Sequence, residues 1–292
     1  MPPRFGLVCL TSSEEIRYRT ITRTRLRSLE PAQQVAALRD IYADNLRRLS
    51  LAIRFCQRRR IRLYRLPSGL FPQSEDSPGF EILSEFAELM AAIGVQAAAA
   101  EIRMVMHPDQ FVVLSSDSPS VIRNSITVLE HHARVLDALG QPRTSWAAME
   151  IHGGKGARAE TLVRVIGDLP VNIRTRLALE NDEYAYSAEQ ILEVCRHAEV
   201  PMVFDAHHHV VHDQLDSYNH PSVAFYTEAA RATWTDPAWQ LVHISNGRDR
   251  FGDARHADYV DVMPRAFRGV PWIEVEAKQK ELAISRIRRR WR

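Results

Sequence analysis

Eight short apolar runs punctuate the chain, each followed by a segment of helical spacing, and this alternation leaves few folds open. The runs lie at residues 5–9, 61–66, 103–106, 146–151, 177–179, 202–204, 240–244 and 272–275. They read as strands covered on both faces, as in parallel sheets, because their apolar character is nearly continuous. Between them apolar residues recur at steps of three and four. After Pro31, for example, come Val35, Leu38, Leu46, Leu49 and Ile53, and proline suits a first helical turn. Further helices are expected over 81–97, 118–139, 157–166, 187–198 and 223–232, and onward from 278, with Ser187 as an N-cap. A single (β/α)8 (TIM) barrel, one domain over 1–292, is the most economical reading. A doubly wound sheet is the alternative, but it does not gather eight strand ends around one point.

In a barrel, chemistry belongs at the C-terminal ends of the strands. Those ends carry His, Asp and Glu: H-P-D-Q-F (107–111), M-E-I-H-G-G (149–154), L-E-N-D-E (179–183), F-D-A-H-H-H (204–209), L-V-H-I-S (241–245) and V-E-A-K (275–278). These residue types bind borderline-to-hard divalent metals. Glu180, Asp205, His243 and Glu276 end strands five to eight and form a hard, highly charged set. Gathering three carboxylates is very costly without a cation. His107 and His152, with Glu180 as a bridge, could hold a second metal, and His208 with His256 a third. Within H-H-H, alternation along an extended strand would instead pair Asp205 with His207. His131 and His132 lie mid-helix as surface or packing residues, and His197, His212 and His220 lack a strand-end context.

The bulk numbers exclude several classes. With 45% hydrophobic and 25% charged residues and a net charge of +2, nothing global demands a polyanionic partner. Locally, Arg17, Arg19, Arg23, Arg25 and Arg27 crowd one segment, and Arg286, Arg288, Arg289, Arg290 and Arg292 another, and such clusters suit phosphates. Cys9, Cys56 and Cys195 form no CxxC pair, so neither a disulfide framework nor a thiolate zinc site is expected, and a reducing cytoplasm fits. Met1-Pro2-Pro3-Arg4 leads straight into a strand-like run, so no signal peptide is expected. The most apolar stretch, 90–100, is too short to span a bilayer.

At these motifs the chain resembles the UV-damage endonuclease family, relatives of endonuclease IV on a metal-bearing barrel. The resemblance covers nearly the whole chain and includes L-V-C-L-T and Y-R-T-I-T-R near the start, H-A-D-Y near residue 256, and every strand-end motif above. It implies a metal-dependent endonuclease that nicks double-stranded DNA just 5′ to a pyrimidine photoproduct and so starts excision repair. It implies three divalent ions, usually Mn2+, with Mg2+, Co2+ or Zn2+ as alternatives. By motif, the ligands would be His107, His152 and bridging Glu180, then Asp205, His243 and Glu276, then His208 and His256. The catalytic set would be Glu180, Asp205, Glu276 and Lys278. Gln110 and Phe111 stand where the family has a Gln-aromatic pair that probes the damaged strand, and Arg17, Arg19 and Arg23 are candidates for DNA contact. A monomer is expected.

Three positions depart from the family pattern. Ser74-Glu75-Asp76-Ser77-Pro78 replaces an S-H-P motif, which makes Asp76 a candidate for a metal or phosphate contact; Leu241 stands where relatives can carry Lys; Leu7 stands where some carry Tyr. Altered cleavage with retained metal binding is the expected consequence. Two rivals have distinct signatures. A sugar isomerase or epimerase on a similar barrel would need neither the arginine segment nor a Gln-aromatic pair. A damaged-DNA-binding module without cleavage would not need the complete Glu180, Asp205, His243 and Glu276 set.

Overall fold

The computed structural model describes residues 2–13, 15–108 and 111–291. Eight strands, β1 (Arg4–Val8), β2 (Leu63–Leu66), β3 (Arg103–Met106), β4 (Met149–His152), β5 (Leu177–Glu180), β6 (Met202–Asp205), β7 (Leu241–Ile244) and β8 (Trp272–Val275), close in chain order into a barrel. Every neighbouring pair is parallel, and β1 pairs with β8 to seal the ring. The (β/α)8 expectation therefore holds, with strand boundaries shifted by at most three residues and β3 and β8 as expected.

The helices form the outer ring because each carries one apolar face. Pro31–Arg58 buries Leu38, Ile41, Tyr42, Leu46, Leu49, Ile53 and Phe55 against the barrel. Each large apolar side chain removed from water in this way contributes roughly 1.5–3 kcal/mol. The capping box at the head of Ala188–Ala198 forms as expected, with Ser187 accepting from Gln190 N and Gln190 accepting from Ser187 N. The single helix expected over 81–97 is two, Gly79–Ser84 and Ala87–Ala99, broken around Glu85 and Phe86. Three short helices escaped the periodicity, Arg23–Arg27, Val171–Arg174 and Ala206–His212.

The barrel interior is unlike the usual stack of aliphatic layers. At its base the Arg103 guanidinium lies 4.9, 5.6 and 5.4 Å from the ring centres of Trp146, Trp234 and Trp272. It donates to the carbonyls of Trp146, Trp239 and Ser145 at 2.7, 2.8 and 3.0 Å. Above it Leu63, Val105, Ala148, Ala178, Val203 and Leu241 form an apolar layer. Next comes a polar layer of Arg65, Glu150, His243 and Glu274, all buried. Gly6 makes room for it: a Cβ there would sit 2.7 Å from Leu63 Cδ2 and 3.2 Å from Glu274 Cγ.

Three of the C-terminal arginines, Arg286, Arg288 and Arg290, have structural partners. Arg288 donates at 2.8 and 2.7 Å to the carbonyls of Arg59 and Arg60, capping the end of the long helix. Arg286 and Arg290 pair with Asp261. Arg292 lies outside the described residues. Among the described residues no helix is long and apolar enough to cross a membrane.

Candidate metal centre

Sheet register assembles the rim. His152 stands opposite Glu180, and Asp205 opposite His243. Each ends or nearly ends its strand, so the side chains share one face of the barrel. Glu180 is almost fully buried at the middle of this face. Its Oε2 is 3.0 Å from His107 Nε2 and 3.8 Å from His152 Nε2. Its Oε1 is 2.9 Å from His243 Nδ1 and 3.3 Å from His208 Nδ1. Glu276 joins from β8, with Oε1 3.7 Å from His243 Nδ1 and Oε2 3.7 Å from His256 Nδ1.

His208 enters through the short helix Ala206–His212. Asp205 caps that helix, its Oδ1 accepting from His208 N at 2.7 Å. Helical spacing then turns His208 back over Asp205, where strand alternation would have chosen His207. His207 is buried elsewhere, its ring nitrogens 2.6 Å from Tyr218 Oη and 2.9 Å from the Asp253 carbonyl. Asn181 ties β5 to β6 by exchanging two hydrogen bonds with the Asp205 backbone at 2.9 and 3.0 Å.

The donor set fits divalent cations. His107, His152 and Glu180 place ligand atoms within 4.8 Å of one another, and so do Glu180, Asp205 and His208; Asp205, His243 and Glu276; and His208, His256 and Glu276. Two atoms indicate what belongs between them. Asp205 Oδ2 is buried with no hydrogen-bond partner, a costly state for a carboxylate oxygen. His107 Nδ1 must donate to the Pro108 carbonyl 2.9 Å away, which turns its Nε2 toward Glu180 Oε2 at 3.0 Å. A lone pair facing a carboxylate at that distance calls for a cation, either a proton or a metal.

Electrostatics carries the same signature. Burial opposes the Glu180 charge, yet the imidazoles of His243, His152, His107 and His208 hold its carboxyl well below the usual range. Burial likewise opposes charge on His243 and His208. Glu180 raises the first well above its ordinary value, and Asp205 with Glu180 raises the second. His107 shifts upward more modestly, burial again opposing and Glu180 prevailing. Burial pushes His152 down. Glu276 is held low against burial by Arg65 and His243.

All eight ligand candidates thus meet on one face. Two further candidates lie outside these ligand groups. Asp76 is exposed, 3.7 Å from Arg23, and belongs to none of the ligand groups; the residue of that loop that turns inward is Ser74, whose Oγ donates to the Phe71 carbonyl at 2.5 Å. Lys278 is exposed as well, because alternation lapses after β8. Burial lowers the half-buried Lys280, with φ of 42°, while Cys9 and Glu276 favour its charge and Arg65 opposes it. Arg17, Arg19 and Arg23 lie on the segment after β1. Arg17 donates to the Thr11 and Ile16 carbonyls, Arg19 pairs with Asp40 at 2.8 Å, and Arg23 bonds Gln73 at 3.1 Å. Phe111 is 79% exposed, and Gln110 lies outside the described residues.

Sequence reasoning missed Arg65, Glu150 and Glu274. The available signal was their spacing: Glu150 and Glu274 each precede a rim residue by two, so they face the same way one layer deeper. It also missed Tyr184, 77% exposed in the loop after β5. Asp182 holds that loop by accepting from Tyr184 N and Tyr186 N at 2.8 and 3.2 Å, and also from Ala185 N.

Comparison with known proteins agrees with this geometry. The model of the family described as UV-endonuclease UvdE matches residues 3–291. The UV DNA damage endonuclease of Nostoc sp. is 55% identical over 291 residues, covering 99% of this chain and 90% of that protein. The protein of the same name from Deinococcus radiodurans is 47% identical over 289 residues, covering 98% and 95%. The crystal structure of SacUVDE superposes with a TM-score of 0.81 at 24% identity, covering 98% of each chain, and so shares the fold. A family match over almost every residue, together with relatives this similar across their length, establishes that the chain belongs to the UV-endonuclease UvdE family.

Proposed function

We propose that the chain is a metal-dependent endonuclease that nicks double-stranded DNA immediately 5′ to UV photoproducts. The observation that carries this reading is the interlocked rim, in which four groups of ligand atoms share Glu180, Asp205, His208 and Glu276. His107, His152 and bridging Glu180 would hold one ion, Asp205, His243 and Glu276 a second, and His208 with His256 a third; Mn2+ suits this mixed nitrogen and carboxylate set, and Mg2+, Co2+ or Zn2+ could replace it. Closely spaced divalent ions lower the pKa of a bound water and neutralise charge on a phosphate and its leaving oxygen.

The chain's own groups do the rest. Asn181 and the Asp205 cap fix the ligand geometry. Lys280, whose charge Glu276 favours, would add a cation at the edge of the rim, and Lys278, the lysine of the motif, would add another. Arg17, Arg19 and Arg23, on the segment after β1, would meet backbone phosphates. Phe111, exposed and next to Gln110 in sequence, would fill the stack that a flipped lesion vacates. A photodimer stacks poorly and costs less to extrude than normal bases, which favours damaged sites. One barrel unit acting as a monomer in the cytoplasm suffices for this chemistry.

The test is incubation with Mn2+ and an end-labelled duplex carrying one cyclobutane dimer, beside an undamaged duplex and the Glu180→Gln variant. A nick 5′ to the lesion that the variant fails to make supports the reading. Binding without nicking points to a recognition module, and indifference to the lesion excludes both.

A further inference from the structure

Below the rim, the buried side chains of Arg65, Glu150 and Glu274 pack against His243, and nothing in the proposed chemistry uses them directly. His243 Nε2 lies 2.9 Å from Glu274 Oε2 and 3.1 Å from Glu150 Oε2. Its other nitrogen, Nδ1, faces Glu180 and Glu276 at 2.9 and 3.7 Å. The ring therefore stands between two sets of carboxylates, one at the rim and one inside the barrel.

Arg65 braces the inner carboxylates. Its Nε and Nη2 both bond Glu274 Oε2, and Nη2 also reaches Glu276 Oε1 at 2.6 Å. Nη2 is also 3.0 Å from His243 Nε2 and 3.4 Å from Nδ1. Near-equal distances to both nitrogens put the guanidinium against the ring, off the outward lone-pair line of Nε2. Nε2 faces the Glu150 and Glu274 carboxylates, which can only accept, so Nε2–H donates to Glu150 at 3.1 Å with Glu274 Oε2 2.9 Å away.

We infer that Arg65, Glu150 and Glu274 form a positioning layer. It fixes His243 as the Nε2–H tautomer, aims the Nδ1 lone pair at the rim, and holds Glu276 in place through Arg65. Glu150, His243 and Glu274 alone have the spacing of a cation site; here the guanidinium occupies that space, so the inner cluster carries the protein's own cation. A carboxylate behind a ligating imidazole raises its basicity and fixes its orientation. This inference rests on the reading of the rim as a metal centre.

The experiment is a calorimetric titration of the chelator-stripped chain with Mn2+, together with 15N spectra of the histidine-labelled, Zn2+-loaded chain. The His243 signal is identified by its loss in His243→Asn. Glu150→Gln, Glu274→Gln and the charge-balanced Arg65→Met/Glu274→Gln variant are compared, the last in case an unpaired arginine prevents folding. Expected are an Nε2–H tautomer in the unsubstituted chain and one ion weakened about 10- to 100-fold in Glu274→Gln or the double variant, with the remaining ions little changed. An Nδ1–H tautomer, or unchanged affinities in folded Glu150→Gln and double variants, overturns the positioning role while leaving the metal centre intact. Failure of the unsubstituted chain to take up Mn2+ overturns the metal centre and the layer together.

Discussion

Glu180 is the residue on which the rim converges, since its two oxygens contact four imidazoles. Glu180→Gln keeps the shape but removes the charge that those rings share. Metal affinity and nicking are expected to fall by more than about 100-fold, beyond the loss of an outer partner, as read by Mn2+ titration and the nicking assay. Protons compete for the same lone pairs. The raised values of His208, His243 and His107 mean that the metal-free chain retains imidazole protons above the ordinary histidine range near 6.5. Mn2+ must displace them, so affinity climbs as pH rises through that window, by about tenfold per unit for each proton displaced. In the metal-free chain the sign reverses. Stability from these histidine–carboxylate pairs is full below about pH 6.5 and is lost as pH rises through the raised values. Melting curves with and without Mn2+ from pH 6 to 9 should therefore diverge. His131 and His132 act oppositely: burial lowers them to about 4 and about 3. Their contribution is present above about pH 6.5 and is lost on acidification toward those values, at on the order of 1 kcal/mol per unit for each ring. Urea unfolding between pH 7 and 4 should show this slope, and His132→Leu should reduce it.

At the scale of elements, the strands were readable because each apolar run is short and bounded, and because β/α alternation admits few closures. Rim residues were readable because they end those runs. The polar layer was hidden because Glu150 and Glu274 sit within strands, where a lone acid looks like an outward-facing residue. His208 was legible only through the family motif, since the helix that presents it begins within the rim itself, at its Asp205 cap. Lys280 was missed because the chain leaves extended geometry after β8 and enters a left-handed turn at that residue. Helix packing yields a prediction separate from chemistry. A Cβ on Gly94 would lie 1.9 Å from the Leu139 carbonyl oxygen, so Gly94→Ala must push apart the helices Ala87–Ala99 and Pro119–Ala138. A loss of about 1–3 kcal/mol is expected in denaturant unfolding, with Mn2+ affinity unchanged because neither helix bears a ligand.

For the whole molecule, the barrel separates tasks by height: a Trp-lined Arg103 base, an apolar layer, the Arg65 layer, and then the rim beneath exposed Phe111 and Tyr184. Phe111→Ala should weaken binding to a lesion-bearing duplex by about 1–3 kcal/mol, the range of base–aromatic stacking, and leave metal uptake intact. Equal weakening on undamaged duplex would remove Phe111 from lesion recognition. The central claim is that nicking requires the rim's ions, and single-turnover nicking of a one-dimer duplex, titrated with Mn2+ from a chelated start, tests it most directly. The expected result is no product in chelator and a single nick immediately 5′ to the dimer, whose rate rises with metal occupancy and which is absent on undamaged duplex. Full-rate nicking in chelator, or equal nicking of undamaged DNA, would contradict it.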